Sequence, residues 1–443
     1  MISIFVIVVI VLGVLFSKIL FNKWFNHLAL YCIVWGVLIL SYELKLLPYD
    51  DILPLAWFYI ISSFLSFVFG ILTIVSARNL GFARNESKQE KQNSYLKLFI
   101  DEGKTVKYAL LIFSFIGLYA AIQHWFILID KFGSIPGVFL NANTIYILNT
   151  RGGIKGQVPF LSNFGYVAIF FSALYTAYKG RFTLLTFLPF VGIIIKELAT
   201  VGRAGMLLAL MEFIITFLLF RHLLYNDSKH NFKFSKKNAL ISFSILLIFF
   251  ITSASIVRLT RGATESYSGT NRTLIKFKDN LIFSPSLYLY ISSHVGVLSK
   301  YSNSDGENTG FGQNTFLTAY HILDKFGILE RPSDYQKGYF VPMWTNTGTY
   351  IRELHADFGL AGIFLVPYLF GVFITWLWFK LYLEKSLITL TILVYLYLIV
   401  GFSFLVVITR TSYWSISLLL NILGILILQK LAKMVHNKNS IIK

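Results

Sequence analysis

A guanidinium, an imidazole and two carboxylates fall in one short segment, Arg352-Glu353-Leu-His355-Ala-Asp357. Arg352 and His355 are three residues apart, and Glu353 and Asp357 four apart. Each pair shares a face if the segment is helical. A general base needs reach to the proton it takes and a pKa near the working pH. His355 fits that role best and Asp357 next, while Glu353 can orient the imidazole or act in its place. The bland alternative is a charged turn beside the membrane. A second set of residues suits an anion. Arg258 and Arg261 lie one helical turn apart, and two cations on one face repel unless an anion joins them. Arg203 sits at the tight turn Thr200-Val-Gly-Arg-Ala-Gly205, Arg410 lies between two apolar runs, and Arg151 lies with Lys155 in an earlier loop. With Arg352 these residues are read as a cationic pocket. The arginine fork binds phosphate bidentately, so a pyrophosphate would explain the set. Arginines at helix ends also snorkel to headgroups, and any single one can be read that way. Trp344 and Tyr350 are candidates for stacking on sugars. No phosphate-binding Gly-x4-Gly-Lys-Ser/Thr loop, no His-Glu-x-x-His and no Asp-x-Asp occurs, and Asp305-Gly-Glu307 only imitates the last. The single cysteine, Cys32, excludes an intrachain disulfide and any cysteine-rich metal site. No metal site and no cofactor is expected.

The elements that must position these residues are membrane helices. Of 443 residues, 56% are hydrophobic and only 14% charged, against about 25% charged in a soluble domain. That excludes a soluble enzyme and a disordered chain. Eleven apolar runs are long enough to span, at about 2–20, 27–47, 54–76, 106–129, 161–178, 182–200, 204–222, 239–257, 357–380, 386–409 and 412–430. Their unbroken Leu, Ile, Phe and Val suit helices rather than alternating barrel strands. The first run has no basic leader and no small-residue cleavage site, so it reads as a retained anchor. With the N-terminus outside, the cytoplasmic segments hold 22 Lys+Arg against 6 Asp+Glu, and the external ones 16 against 13. The net charge of +18 is then mainly a topology signal. Membrane lipids are the expected partner of the basic clusters, and no nucleic acid is needed to explain them.

The expected fold is all-α, a polytopic membrane protein with about eleven transmembrane helices. Residues 1–257 would hold helices one to eight. Residues 258–356 would form a large external loop with interfacial helices, and 357–443 would hold helices nine to eleven and a cytoplasmic tail. Loops beyond about 12–15 residues are usually functional or disordered, and the aromatic content of this one argues for folding. One helix is expected to begin at Ser284-Pro285 and run to Leu298. Another should follow Asn314, with Phe316, Ala319, Tyr320, Leu323 and Phe326 at helical spacing.

Three features resemble the Wzy-type polymerases of O-antigen and capsule repeat units. Glu197-Leu-Ala-Thr-Val-Gly-Arg-Ala-Gly-Met-Leu-Leu208 is similar to the family's Arg-containing turn before an apolar helix. Asn346-Thr-Gly-Thr-Tyr-Ile-Arg-Glu-Leu-His-Ala-Asp-Phe-Gly-Leu-Ala-Gly362 is similar to its segment entering the helix after the large loop. The third feature is the layout of many spans with one large external loop late in the chain. The family's spacing of Arg, ten residues, then Gly is met from Arg258 to Gly269; the same count from Arg151 reaches Ser162, a departure from the pattern. The resemblance implies a metal-independent glycosyltransferase of the bacterial cytoplasmic membrane, with its active site facing outside. Its substrates would be undecaprenyl-pyrophosphate-linked oligosaccharides, and a chain-length regulator protein would be a further partner. Arg258, Arg261 and Arg203 would hold the pyrophosphate, supported by Arg352 and Arg410, with His355 as base. An O-antigen ligase shares the layout and donor. A lipid-linked oligosaccharide flippase is the competing non-enzyme, although a transporter should carry ionisable groups near mid-membrane.

Overall fold

The computed structural model describes residues 2–80, 101–150, 160–225, 269–276, 285–304, 309–330 and 336–441, with isolated positions between them. Its helices are α1 Ile2–Phe21, α2 His27–Glu43, α3 Pro54–Asn79, α4 Lys104–Phe132, α5 Ile135–Leu140, α6 Ala142–Thr150, α7 Phe164–Lys179, α8 Leu184–Thr200, α9 Ala204–Tyr225, α10 Arg272–Ile275, α11 Pro285–Ser302, α12 Leu317–Lys325, α13 Tyr350–Phe358, α14 Leu360–Glu384, α15 Leu387–Phe402 and α16 Ser412–Ile441. One small antiparallel hairpin joins β1 Tyr339–Phe340 to β2 Trp344–Thr345, with Tyr339 opposite Thr345 and Phe340 opposite Trp344. Five of the described helices are long and apolar enough to cross a bilayer: Pro54–Asn79, Lys104–Phe132, Ala204–Leu224, Leu360–Glu384 and Ser412–Met434. Ile7–Phe21, His27–Glu43 and Leu387–Phe402 are shorter apolar helices. The chain is a membrane-embedded, multi-pass, all-α protein. The expected run at 239–257 falls largely outside the described residues.

The chain divides into two compact units. The first comprises residues 1–88, 264–378 and 399–411; the second comprises 89–263, 379–398 and 412–443. In the first unit, α1 and α2 form a hairpin locked by Asn26. Its side chain caps α2 through the Ala29 N–H at 2.8 Å and donates to Ser17 Oγ and to the Lys23 carbonyl. The helices α3 and α14 cross where two glycines meet. A Cβ on Gly70 would lie 2.1 Å from the Tyr368 carbonyl oxygen, and one on Gly371 would lie 2.3 Å from that of Phe67. Small residues at such crossings let backbones approach, which drives helix association in lipid.

Among the described residues of segment 258–356 both expected helices are present, and the helix pattern departs from expectation at two points. The expected helices are α11 and α12, and Pro285 opens the first. The hairpin is an addition. The expected ninth span begins later than 357, because Gly359 interrupts it at φ 60° and ψ −143°, a backbone geometry that side-chain-bearing residues avoid. Gly362 closes the corner: a Cβ there would lie 2.0 Å from the Leu354 carbonyl oxygen. So Arg352, Glu353, His355 and Asp357 lie on a separate helix, α13, rather than at the mouth of a span. At the far end of the chain, α16 runs on to Ile441, past the expected end of the last span at 430.

In the second unit, α4 packs on α7 and α8, and α7 packs on α9. Gly117 and Gly165 make the α4–α7 approach, since a Cβ on Gly117 would lie 2.7 Å from the Gly165 Cα. Within this unit α8 carries a buried ion pair, Lys196 Nζ to Glu197 Oε1 at 2.5 Å. The ammonium also lies 3.7 Å above the Tyr413 ring, so the charge is held by a carboxylate and an aromatic face. Glu212 accepts a 2.9 Å hydrogen bond from the Tyr395 hydroxyl, which in turn accepts from Asn421 Nδ2.

Candidate functional site

The helix α13 is the hub of the first unit, and each of its polar side chains holds a different stretch of chain. Arg352 is fully buried. Its Nε donates to Glu307 Oε1 at 3.0 Å and one terminal nitrogen donates to the same oxygen at 2.5 Å. The guanidinium also donates to the Lys337 carbonyl at 2.5 Å and to the Asn346 carbonyl at 2.9 Å. The Tyr339 ring lies 5.1 Å from it. The guanidinium is thus occupied by one carboxylate and two carbonyls of its own chain. The bidentate chemistry expected of Arg352 is present, and the anion it meets here is Glu307.

Both carboxylates are occupied as well. Asp357 accepts four hydrogen bonds, from the Asn314 N–H at 3.0 Å, Asn314 Nδ2 at 2.9 Å, and the Thr315 N–H and hydroxyl at 2.7 Å each. It therefore ties the start of α12 to α13. Glu353 accepts from Arg410, from Gln336 Nε2 and from the Val407 N–H. Burial pushes its carboxyl above the ordinary range, and Arg410 with the Val407 N–H pulls the other way. A carboxylate whose lone pairs are filled by fixed donors is poorly placed to take a proton from a ligand. In this arrangement Asp357 and Glu353, both expected to take part in acid–base work, hold neighbouring segments of chain. Arg410 spends a guanidinium nitrogen on Glu353, and its side chain is 9% exposed.

His355 is different. Its Nδ1 lies 2.7 Å from the Tyr301 hydroxyl at the end of α11. The Tyr59 ring of α3 stacks on it, centroid to centroid 4.9 Å with 29° between planes. The imidazole is half-buried, and burial lowers its pKa, which favours the neutral ring. Its Nε2 makes no hydrogen bond among the described residues.

The remaining expectations divide. Tyr350 is buried, with its hydroxyl 3.0 Å from that of Tyr31 and 2.6 Å from that of Ser63, and its ring meets the edges of Tyr31 and Trp35. It packs the core and is not presented for sugar stacking. Trp344 is 71% exposed beside Phe340, itself 63% exposed, on the hairpin. Such a pair is a surface for a flat apolar face. In the second unit, Arg203 is half-buried immediately before α9, in the turn that begins with Val201 in the left-handed region. Arg151, Arg258 and Arg261 lie outside the residues whose side chains are described.

Sequence reasoning missed Tyr301, Tyr59 and the anchoring role of Glu307. Glu307 had a signal in the polar turn Asp305-Gly-Glu307, read as a weak metal motif. Tyr301 and Tyr59 had none, because aromatic residues fill this chain. Among the described residues no group of three or more His, Cys, Asp or Glu gathers to hold a metal ion. No family model, curated protein or solved structure matches the chain.

Proposed function

We propose that this protein polymerises lipid-linked oligosaccharide repeat units at the outer face of the bacterial cytoplasmic membrane. The N-terminus and the 258–356 loop face outward, and the C-terminus faces the cytoplasm. The donor is a glycan on a polyprenyl pyrophosphate, and the acceptor is a sugar hydroxyl of a second lipid-linked unit. That hydroxyl forms a bond to the anomeric carbon while the bond to the pyrophosphate oxygen breaks. The lipid pyrophosphate leaves with the electron pair. The leaving group is already activated, so neither ATP nor a nucleotide sugar enters.

The observation that carries the reading is His355. On a helix whose other ionisable groups are occupied, one ring edge has no partner among the described residues. A positioned hydrogen-bonding group of this kind stabilises charge that develops in a transition state without needing a metal. On the sequence reading Arg258, Arg261 and Arg203 are the proposed pyrophosphate contacts, and within the first unit Trp344 is the proposed sugar platform. The test is reconstitution. The purified chain in vesicles is given polyprenyl-pyrophosphate-linked repeat units. The proposal expects a ladder of longer lipid-linked glycans that His355→Ala abolishes. Repeat units that stay single with folded wild-type protein refute it.

A further inference from the structure

The hydrogen-bond partner of His355 bears on which ring nitrogen carries the proton. A neutral imidazole has one N–H and one lone pair, and the hydrogen bond at one nitrogen fixes the role of the other. At Nδ1 the partner is a phenol, which can donate or accept. Two observations decide. The Tyr301 hydroxyl makes no hydrogen bond other than that to Nδ1 among the described residues, so if it accepted there its own proton would go unmatched. The phenol is also held protonated: burial first, then the nearby Glu307 carboxylate, push its pKa up. A buried hydroxyl left without an acceptor is costly, on the order of 1–3 kcal/mol. Donation to Nδ1 meets that need.

From this geometry we infer that Tyr301 donates to Nδ1 and fixes His355 as the Nε2–H tautomer, so that His355 presents a hydrogen-bond donor, not a base, to an oxygen of its ligand. Tyr301 is a positioning residue. Tyr59 adds the second constraint, since its stacked ring blocks rotation of the imidazole out of plane. The other charged groups near the pair have fixed partners. Arg352, 5.9 Å from the Tyr301 ring, holds Glu307, and on α13 Glu353 and Asp357 are held by Arg410 and by residues 314–315. None of them takes the place of Tyr301 at Nδ1.

This inference rests on the proposed reaction for its chemical meaning and sharpens it. The oxygen that Nε2–H meets is a phosphate or sugar oxygen. The neutral ring donates to it throughout the step and ends unchanged. The proton of the attacking hydroxyl must then go elsewhere, and the released pyrophosphate can take it. Its freed terminal oxygen belongs to a phosphate monoester-like group with a pKa of about 6.

Two measurements test this separately. The first needs no substrate. Protein carrying 15N-labelled histidine is examined in detergent at pH 7.5, with the His355 signals identified by their loss in His355→Gln. The expected result is a protonated Nε2 and an unprotonated Nδ1. In Tyr301→Phe the preference should relax toward the mixture of a free imidazole, so that some Nδ1–H form appears, and the His355 pKa should rise, because a donor that stabilises the neutral ring is gone. A merely structural tyrosine would leave both unmoved. A protonated Nδ1 in the wild-type protein overturns the inference. The second measurement compares two substitutions in the reconstituted reaction. Glutamine offers an N–H near the place of Nε2–H and cannot act as a base. His355→Gln should keep activity within about tenfold of wild type, while His355→Ala should lose about 10²- to 10³-fold, the range for a lost transition-state donor. If glutamine is as inactive as alanine, the donor role is wrong. If neither substitution changes the glycan ladder, the proposed function of the site fails while the tautomer measurement still stands.

Discussion

Replacing Arg352 by methionine separates a residue that grips substrate from one that holds the loop together. The substitution keeps an unbranched apolar stem and removes the guanidinium. Glu307, whose side chain is 9% exposed, is left as a nearly buried charge without its cation. Breaking a buried pair by removing one partner costs about 3–5 kcal/mol. The carbonyls of Lys337 and Asn346 lose their donors as well, each worth about 1 kcal/mol. Because Glu307 can turn partly to water, the total should stay near 3–5 kcal/mol. At 1.4 kcal/mol per factor of ten, the open loop becomes roughly 10²- to 10³-fold more populated. Trypsin reports this directly, because it cuts after Lys337, whose carbonyl Arg352 holds. When opening is fast relative to cutting, the cleavage rate follows the open population. Arg352→Met should therefore be cut about 10²- to 10³-fold faster at Lys337 in detergent. Adding Glu307→Gln removes the stranded charge and should slow cleavage again by about tenfold, since paired residues are not additive. Wild-type resistance in Arg352→Met would refute the hub. Loss of glycan synthesis with the loop still protected would return Arg352 to the ligand.

Three further predictions concern charge and topology. Arg258→Ala or Arg261→Ala should leave the protein expressed and cut polymerisation about 30- to 1000-fold, corresponding to 2–4 kcal/mol of transition-state stabilisation, with lysine partly active because it keeps the charge and loses the fork; wild-type glycan length in both alanine variants would remove them from the site. Burial lowers the pKa of His355 and of His294 below the ordinary value of about 6.5. The unfolded loop therefore takes up protons first. The stability that neutral imidazoles contribute is complete above about pH 6.5 and declines below it, so the melting midpoint should fall between pH 7.5 and 5.5, less steeply in His355→Gln. A midpoint that rises on acidification would contradict the burial argument. Reporter fusions at positions 90, 145, 230, 310 and 440 should read inside, outside, inside, outside and inside, and a cytoplasmic reading at 310 would overturn the catalytic side.

What the sequence made legible was set by short-range chemistry. Ser284-Pro285 and the helical spacing after Asn314 mark α11 and α12 because caps and apolar periodicity act within a few residues. The α13–α14 corner was less visible. Gly359 and Gly362 stand in the sequence, but the apolar run around them reads equally well as a span that begins at 357. Arg352 shows the deeper limit. Its type announces a need for an oxyanion, and a carboxylate 45 residues away in a turn satisfies that need as well as a pyrophosphate would. Asp357 is hidden in the same way, because the Asn314 and Thr315 donors that fill it come from a distant loop. Only the folded chain tells an internal partner from a ligand. His355 was legible as a reactive type, whereas its tautomer was not, since Tyr301 looks like any other aromatic residue at the end of an amphipathic helix.

The central claim is tested most directly by deleting the protein from its native cell and analysing the lipid-linked and surface glycans. The account predicts single repeat units, correctly transferred to the final acceptor but never longer, with length restored by the wild-type chain and not by His355→Ala. Intact lipid-linked polymer without transfer to acceptor would make the protein a ligase. Repeat units trapped facing the cytoplasm would make it a flippase. Either result would contradict the account.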